Sequence, residues 1–315
     1  MRSNMSQEQG SEVDKRVVTS QFAENILMHR VGMAEQSVPM STLYIVGLPI
    51  GNAADISLRA LWILDAVDLI ACEDTRESRK LLDRYGIKTP TVAVHEHNER
   101  SAADRLIENL RAGQRIALIT DAGTPAVSDP GAKVVQAVRE AGLNVVPIPG
   151  ASAVVTAMSA SGLDSYTLTF VGFVPPAAKA RQKALLTYAG RADAFVLYEA
   201  PHRVRELLKD LAKVLTPTRC VVVAREVTKR FESFAAMPAS ELSQWAKDHE
   251  PKGEYAILVD QEVKNDSDGL DEAALTWARA LTNELPVARV AAVVAKVTGV
   301  KRDVVYKTLM AEKVQ

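Results

Sequence analysis

The chain has 315 residues, enough for about two domains with a substantial core. Its 38 basic and 39 acidic side chains nearly cancel, which excludes polyanion binding by bulk charge and confines any nucleic-acid contact to a local patch. Cys72 and Cys220 lie in the apolar runs LIACE and RCVVV, which argues against a disulfide framework and for a reducing, cytoplasmic setting; no stretch approaches the ~20 apolar residues of a membrane span.

In chain order, residues 1–40 are polar and mixed in charge, with no signal-peptide core, and read as a poorly ordered extension. From Thr42 onward, β-branched runs alternate with segments of helical period. The runs are LYIVGL (43–48), LIACE (69–73), TVAVHEH (91–97), RIALIT (115–120) and NVVPIP (144–149), with helices such as ISLRALWILDAV and AKVVQAVREAG between them. This alternation predicts an α/β domain over 41–163 with a mostly parallel sheet, whose ligands lie at the carboxyl ends of the strands. A second α/β domain over 164–263 follows, with runs TLTFVGF, AFVLYEA, RCVVVARE, RFESFAAM and EYAILVD. The close spacing of the third and fourth predicts an antiparallel hairpin and hence a mixed sheet. After the polar stretch KNDSDGLDE, residues 264–315 read as a linker and a helical tail, with a helix around 271–284 and a helix-turn-helix beyond Pro286. Val290, Val293, Val294 and Val297 fall at helical spacing on the first of its two helices. The last thirty residues are locally basic, so the tail is either a packed helical cap or a nucleic-acid contact.

Two loops at strand ends stand out: VGLPIGN (46–52) and DAGTPAVSDPG (121–131). Glycine lets a ligand approach the main chain, and proline fixes the path without adding a donor. Neither loop is a GxGxxG fingerprint or a GxxxxGK[ST] phosphate loop, which disfavours a nicotinamide-linked oxidoreductase. Glycine-rich loops lacking phosphate features suit an adenosine or amino-acid ligand without a pyrophosphate, and S-adenosylmethionine is one. HEHNER (95–100) sets His95 and His97 on one face of the expected strand, but no CxxC or HExxH partner supports a metal, and none is expected. CEDTRESR, YEAPHR and AREVTK place further charged groups just past buried runs, where Arg225 could simply pair with Glu226 or a nearby acid.

Taken in order, LYIVGLPIGN, ACEDTR, HEHNE, DAGTPAVSDPG, PIPGASA, YEAPHR and AREVTK resemble the ribosomal RNA small subunit methyltransferase I family, across residues 42 to about 310. The resemblance implies a two-domain tetrapyrrole-methylase (class III) fold, S-adenosylmethionine in the cleft and a homodimer. The activity it implies is 2′-O-methylation of a cytidine in the decoding region of small-subunit (16S) rRNA. Carried over by position, Pro49 and Gly51 shape the first cofactor loop. Asp121, Gly123, Thr124, Pro125, Ala126 and Val127 form the main cradle, and Ser152 and Tyr198 complete the pocket. The family usually has a small hydroxyl residue where this chain has Leu48, so a side-chain hydrogen bond from that position is not expected.

Methyl transfer to a poorly acidic hydroxyl benefits from a base. Glu73, Asp74, Glu96, His97, Glu226 and Lys229 follow the predicted strands, and Asp74 and Glu96 with Lys229 nearby are the chosen catalytic cluster. Lys179, Arg181 and Lys183, together with Arg289, Lys296, Lys301, Arg302 and Lys307, are candidates for phosphate contacts. Two rivals stay open: a tetrapyrrole or precorrin methylase of the same fold, and a non-catalytic rRNA-binding assembly factor.

Overall fold

The first five strands of the computed structural model are β1 (Thr42–Val46), β2 (Leu69–Cys72), β3 (Thr91–Ala93), β4 (Ile116–Leu118) and β5 (Asn144–Ile148). The structure describes residues 36–95, 98–262, 270 and 272–312; Glu96, His97, most of the N-terminal extension and most of the linker lie outside them. The strands form one sheet in the order β3-β2-β4-β1-β5, with every neighbouring pair parallel. β1 is buried along its whole length, because helices cover both faces of the sheet. Alternation divides its side chains. Tyr44 and Val46 join Ile70, Cys72 and Ile119 against α1 (Leu58–Ala66) and α2 (Thr75–Arg84). Leu43 and Ile45 join Ala71 and Leu118 against α3 (Glu99–Arg111) and α4 (Ala132–Glu140). Side-chain caps start the first two helices: Ser57 accepts from the Ala60 amide at 3.1 Å and Asp74 from the Arg76 amide at 2.8 Å.

Two strands stop earlier than their sequence suggests. TVAVHEH leaves the sheet after Ala93, because Asn98 folds back, accepting from the His95 amide at 2.8 Å and donating to the Ala93 carbonyl at 3.2 Å. His95 therefore lies beyond the strand, and His97, expected beside it on one strand face, lies outside the described residues. RIALIT ends at Leu118, freeing Thr120 to begin the long loop.

After α5 (Ala153–Ala160) come β6 (Leu168–Phe173), α6 (Ala178–Ala189), β7 (Ala194–Glu199), α7 (Pro201–Val214), β8 (Cys220–Arg225), β9 (Ser233–Pro238), α8 (Leu242–Asp248) and β10 (Tyr255–Val259). The order is β6-β7-β10-β8-β9; β6 and β7 are parallel and the other neighbours antiparallel, so this sheet is mixed. The β8–β9 hairpin forms as the spacing predicts. RFESFAAM enters the sheet only at Ser233, since Glu226 and Thr228 turn the chain through left-handed conformations at φ 51° and 69°. Arg225 acts on Glu226 only through its charge; its Nε donates to the Lys252 carbonyl. Arg181 is a second correction. Lys179 and Lys183 are exposed, but Arg181 is buried and ion-paired with Asp210 at 2.8 Å, so it cannot reach a phosphate.

Both sheets belong to one compact unit that ends at Asp260; residues 163–165, where a boundary is expected, lie between α5 and β6. The second unit, from Gln261, holds α9 (Glu272–Thr282), α10 (Val287–Thr298) and α11 (Arg302–Glu312). Gly299 takes the left-handed conformation at φ 77° that stops α10 before the next helix begins. Val290, Ala291 and Val294 meet Val305 and Leu309 in its core, whereas Val293 and Val297 face solvent. The buried stripe is narrower than the valine spacing implies, because α10 is covered along one seam. Among the described residues, no helix is long and apolar enough to cross a membrane, and no group of three or more His, Cys, Asp or Glu side chains could hold a metal.

Candidate active site

The loops that follow β1, β4 and β5 leave adjacent strands on the same edge of the first sheet and bind to one another. Leu48 and Gly123 exchange both main-chain hydrogen bonds, at 2.8 and 3.1 Å, which ties the two glycine-rich loops together. Thr124 Oγ1 donates to the Ala151 carbonyl at 3.2 Å, which brings in the third loop. Gly47 and Gly150 touch main chain to main chain: a Cβ built on Gly150 would lie 2.6 Å from the Gly47 carbonyl oxygen. Within the long loop, Gly123, Ala126, Ser128 and Gly131 all have positive φ, so this segment winds left-handed at four positions. For Ala126 and Ser128 that conformation is strained, and surrounding contacts hold it. Glu99 supplies one of them, its carboxylate accepting from the Gly131 amide at 2.6 Å where α4 begins.

These loops form one wall of a cavity of about 500 Å³. The other wall comes from β6, the β7–α7 junction and the start of β10. Of the residues expected to hold a cofactor, Asp121, Gly123, Thr124, Val127, Ser152 and Tyr198 line the cavity. Pro49, Gly51, Pro125 and Ala126 do not; they shape the turns behind it, with Ile50 facing inward from the first loop. Gly51 instead packs on the Lys229 stem, which a Cβ there would strike. Leu48 points into the core at 1% exposure, so it offers a ligand nothing but backbone.

The catalytic candidates are placed unevenly. Asp74 sits beside the cavity without lining it; its amide donates to Asp121 Oδ1 at 3.4 Å. Its carboxylate is engaged by the Arg76 side chain at 2.9 Å and by the Arg76 amide, which hold it down to about 2. Lys229 is gripped by Glu226 at 3.0 Å and Glu254 at 2.7 Å. Burial would lower its pKa, but hydrogen bonds to these two carboxylates outweigh that and raise it. Glu96 falls outside the described residues.

The cavity also brings together acidic groups from separate loops, and their charges act on one another. Burial pushes the Glu73 carboxyl up, and the Asp121 charge adds to it. Asp121 is itself raised by burial and by Asp74 and Glu77, against the Asp74 amide. Asp129, facing both Glu73 and Asp121, is raised to about 6 by burial first and by those two charges second. Burial, reinforced by Asp129, pushes the Tyr198 hydroxyl up to about 12. Glu199 and Glu254 reach the same space from the second sheet. Asp129 lies inside the motif DAGTPAVSDPG, so its loop was legible, but its place beside Glu73 and Tyr198, and the approach of Glu199 and Glu254, were not.

Residues 42–243 match the family model described as Tetrapyrrole (Corrin/Porphyrin) Methylases, and residues 268–313 match that of the RsmI C-terminal HTH domain. A Ribosomal RNA small subunit methyltransferase I from Pasteurella multocida (strain Pm70) is 45% identical over 267 residues, covering 84% of this chain and 95% of its own. Its counterpart from Vibrio cholerae (serotype O1) is 46% identical over 267 residues, covering 84% and 93%. Among solved structures, a uroporphyrin-III-C-methyltransferase from Thermus thermophilus superposes with a TM-score of 0.52 at 22% identity, over 70% of this chain and 94% of that one. A further Thermus thermophilus structure, described as complexed with S-adenyl homocysteine, gives a TM-score of 0.51 at 17% identity, over 70% and 97%. At such identities the likeness is one of fold. The relatives' identity and coverage, with the two matched family models, place the chain more narrowly: it belongs to the ribosomal RNA small subunit methyltransferase I family, on the tetrapyrrole-methylase fold.

Proposed function

We propose that this chain transfers a methyl group from S-adenosylmethionine to the ribose 2′-hydroxyl of a cytidine in the decoding region of small-subunit rRNA, working as a cytoplasmic homodimer. The observation that carries the reading is the cavity: main chain shaped by Gly47, Gly123 and Gly150 on one side and Tyr198 on the other, in a chain whose relatives bear the name of rRNA methyltransferases. The lining suits this cofactor. Gly47 and Gly150 leave the loop without side chains where they meet, Phe173 and Tyr198 offer aromatic faces to a base, and the acidic lining suits positive charge.

When bound, S-adenosylmethionine supplies an activated methyl carbon and a thioether leaving group. The protein's task is alignment, which is worth up to ~7–11 kcal/mol when the geometry is good. Of the proposed catalytic cluster, Asp74 is better suited to orient than to accept a proton, since Arg76 keeps it a weak base. Lys229, kept protonated by its two glutamates, serves as a cation facing the RNA. Glu96 stays the proposed base from that set. Asp74→Ala is expected to abolish methylation with little loss of cofactor affinity, and Asp74→Asn, which keeps the helix cap, separates the catalytic effect from the structural one. Wild-type turnover in either variant removes Asp74 from the role.

In the tail, Arg289, Lys296, Lys301, Arg302 and Lys307 are all exposed, which suits contact with rRNA phosphates. The fold's likeness to tetrapyrrole methylases favours a second reading, methylation of a porphyrin-like macrocycle. Labelled S-adenosylmethionine offered with small ribosomal subunits or with uroporphyrinogen separates the two. Label in the ribose of one rRNA cytidine is expected; label in the macrocycle alone overturns the proposal.

A further inference from the structure

Five carboxylates line the cavity: Glu73, Asp121, Asp129, Glu199 and Glu254. Among the described lining residues there is no lysine, arginine or histidine. The outermost acids have cations of their own, Arg76 on Asp74 beside the cavity and Lys229 on Glu254. Glu199 lies against Arg203, whereas Glu73, Asp121 and Asp129 make no such pair among the described residues. Beyond the effect of burial, the Asp121 charge raises the proton affinity of Glu73, and Glu73 and Asp121 together raise that of Asp129. Glu199 adds one buried carboxylate oxygen that the protein leaves unbonded. Its side chain is wholly buried; Oε1 lies 3.0 Å from Arg203 Nε and accepts from the Ala200 amide at 2.9 Å, while Oε2 has no hydrogen-bond partner in the protein.

We propose that this acidic lining selects its ligand by charge, holding the cationic sulfonium of the methyl donor in preference to the neutral thioether product, with Asp129 as the specificity-determining residue. The inference rests on the reading of the cavity as the S-adenosylmethionine site. The reaction itself switches the preference off. The carbon–sulfur bond breaks with its electron pair left on sulfur, the ribose oxygen bonds the methyl carbon, and the hydroxyl proton passes to the proposed base Glu96 and from it to water. Positive charge thus leaves the cavity with the proton, the carboxylates again face one another uncompensated, and the product is expelled. Asp129 carries the most weight because Glu73 after β2, Asp121 on its own loop and Tyr198 of β7 all face it. Its proton affinity supports the same direction: below about pH 6 the aspartate is neutral and the preference for a cation fades.

Calorimetry on the full chain at about pH 8 tests this with three probes: S-adenosylmethionine, S-adenosylhomocysteine, and sinefungin, whose amine restores a positive charge near the sulfonium position. The wild type is expected to bind both cations about tenfold more tightly than S-adenosylhomocysteine. Asp129→Asn is expected to erase most of that ratio, weakening the cations and leaving the thioether unchanged; Glu73→Gln is the second variant should the first not fold. Equal or tighter binding of the thioether by the wild type, or an equal shift of all three ligands in the variants, overturns the proposal alone. Failure of all three to bind the wild type overturns the assignment of the cavity and this inference with it.

Discussion

Replacing Gly150 by alanine is expected to cut methyl transfer at least about a hundredfold and to destabilise the fold by roughly 1–3 kcal/mol. The new Cβ would stand 2.6–2.7 Å from the carbonyl oxygen, carbonyl carbon and Cα of Gly47. All three are main-chain atoms, so no side chain can swing aside to relieve the contact. Gly47 is itself anchored, since its amide donates to the Ile148 carbonyl at 3.3 Å and it continues directly from the buried strand β1. The loop carrying Ala151 and Ser152 must therefore move, and with it the hydrogen bond from Thr124 and one wall of the cavity. Gly190→Ala is the control. Its φ is −73° and the nearest atom to an added Cβ is 3.6 Å away, so little change in stability or activity is expected there. Thermal unfolding and cofactor calorimetry on the two variants check the contrast.

Asp210→Ala is expected to destabilise the protein by about 3–5 kcal/mol while leaving the cavity untouched. Its carboxylate takes two bonds from the Arg181 guanidinium at 2.8 and 2.9 Å, and further bonds from Gln182 at 2.9 Å and Lys213 at 3.2 Å. Removing it leaves a guanidinium buried to 8% exposure, still bonded to the Pro176 carbonyl but without its carboxylate. Burial alone would push the Asp210 carboxyl up; hydrogen bonds from Gln182, Arg181 and Lys213, with the Arg181 charge, outweigh burial and hold it below its ordinary value. A depressed carboxyl stabilises the fold fully above the unfolded value of about 3.9 and loses that contribution as pH falls through the folded value. Urea unfolding should therefore show the full gap between wild type and Asp210→Ala at neutral pH and a narrowing gap below about pH 4. A gap independent of pH would mean that packing, not the ion pair, is what the substitution removes.

All ten strands were legible because each contributes a short apolar run, and β1, β7, β8 and β10 are buried almost throughout. The ends of the runs were not. TVAVHEH and RIALIT continue in residues that a strand tolerates, and the chain leaves the sheet there because Asn98 and the long loop make other hydrogen bonds. The short α8 offered too few turns for a period to be seen. In the site, glycine and proline marked the right loops, since close backbone approach leaves its trace in composition. Charge pairing leaves none. Arg181 reads locally as an exposed cation and is buried by an aspartate 29 residues away. Asp129, Glu199 and Glu254 become one electrostatic group only once the two sheets fold.

The paired hydrogen bonds between Leu48 and Gly123 restrict how a ligand can be read. The amides at both positions are already spent on each other's carbonyls, so Gly123 can give a bound molecule a surface and the second lone pair of its carbonyl but no donor. Farther along the same loop, the amides of Ala126, Val127 and Gly131 are committed to Pro130, Thr124 and Glu99. Recognition in this wall therefore falls to side chains and to the few peptide groups between those closures. A change of ligand chemistry can come from single substitutions there, without disturbing the stitching that keeps the loops in shape.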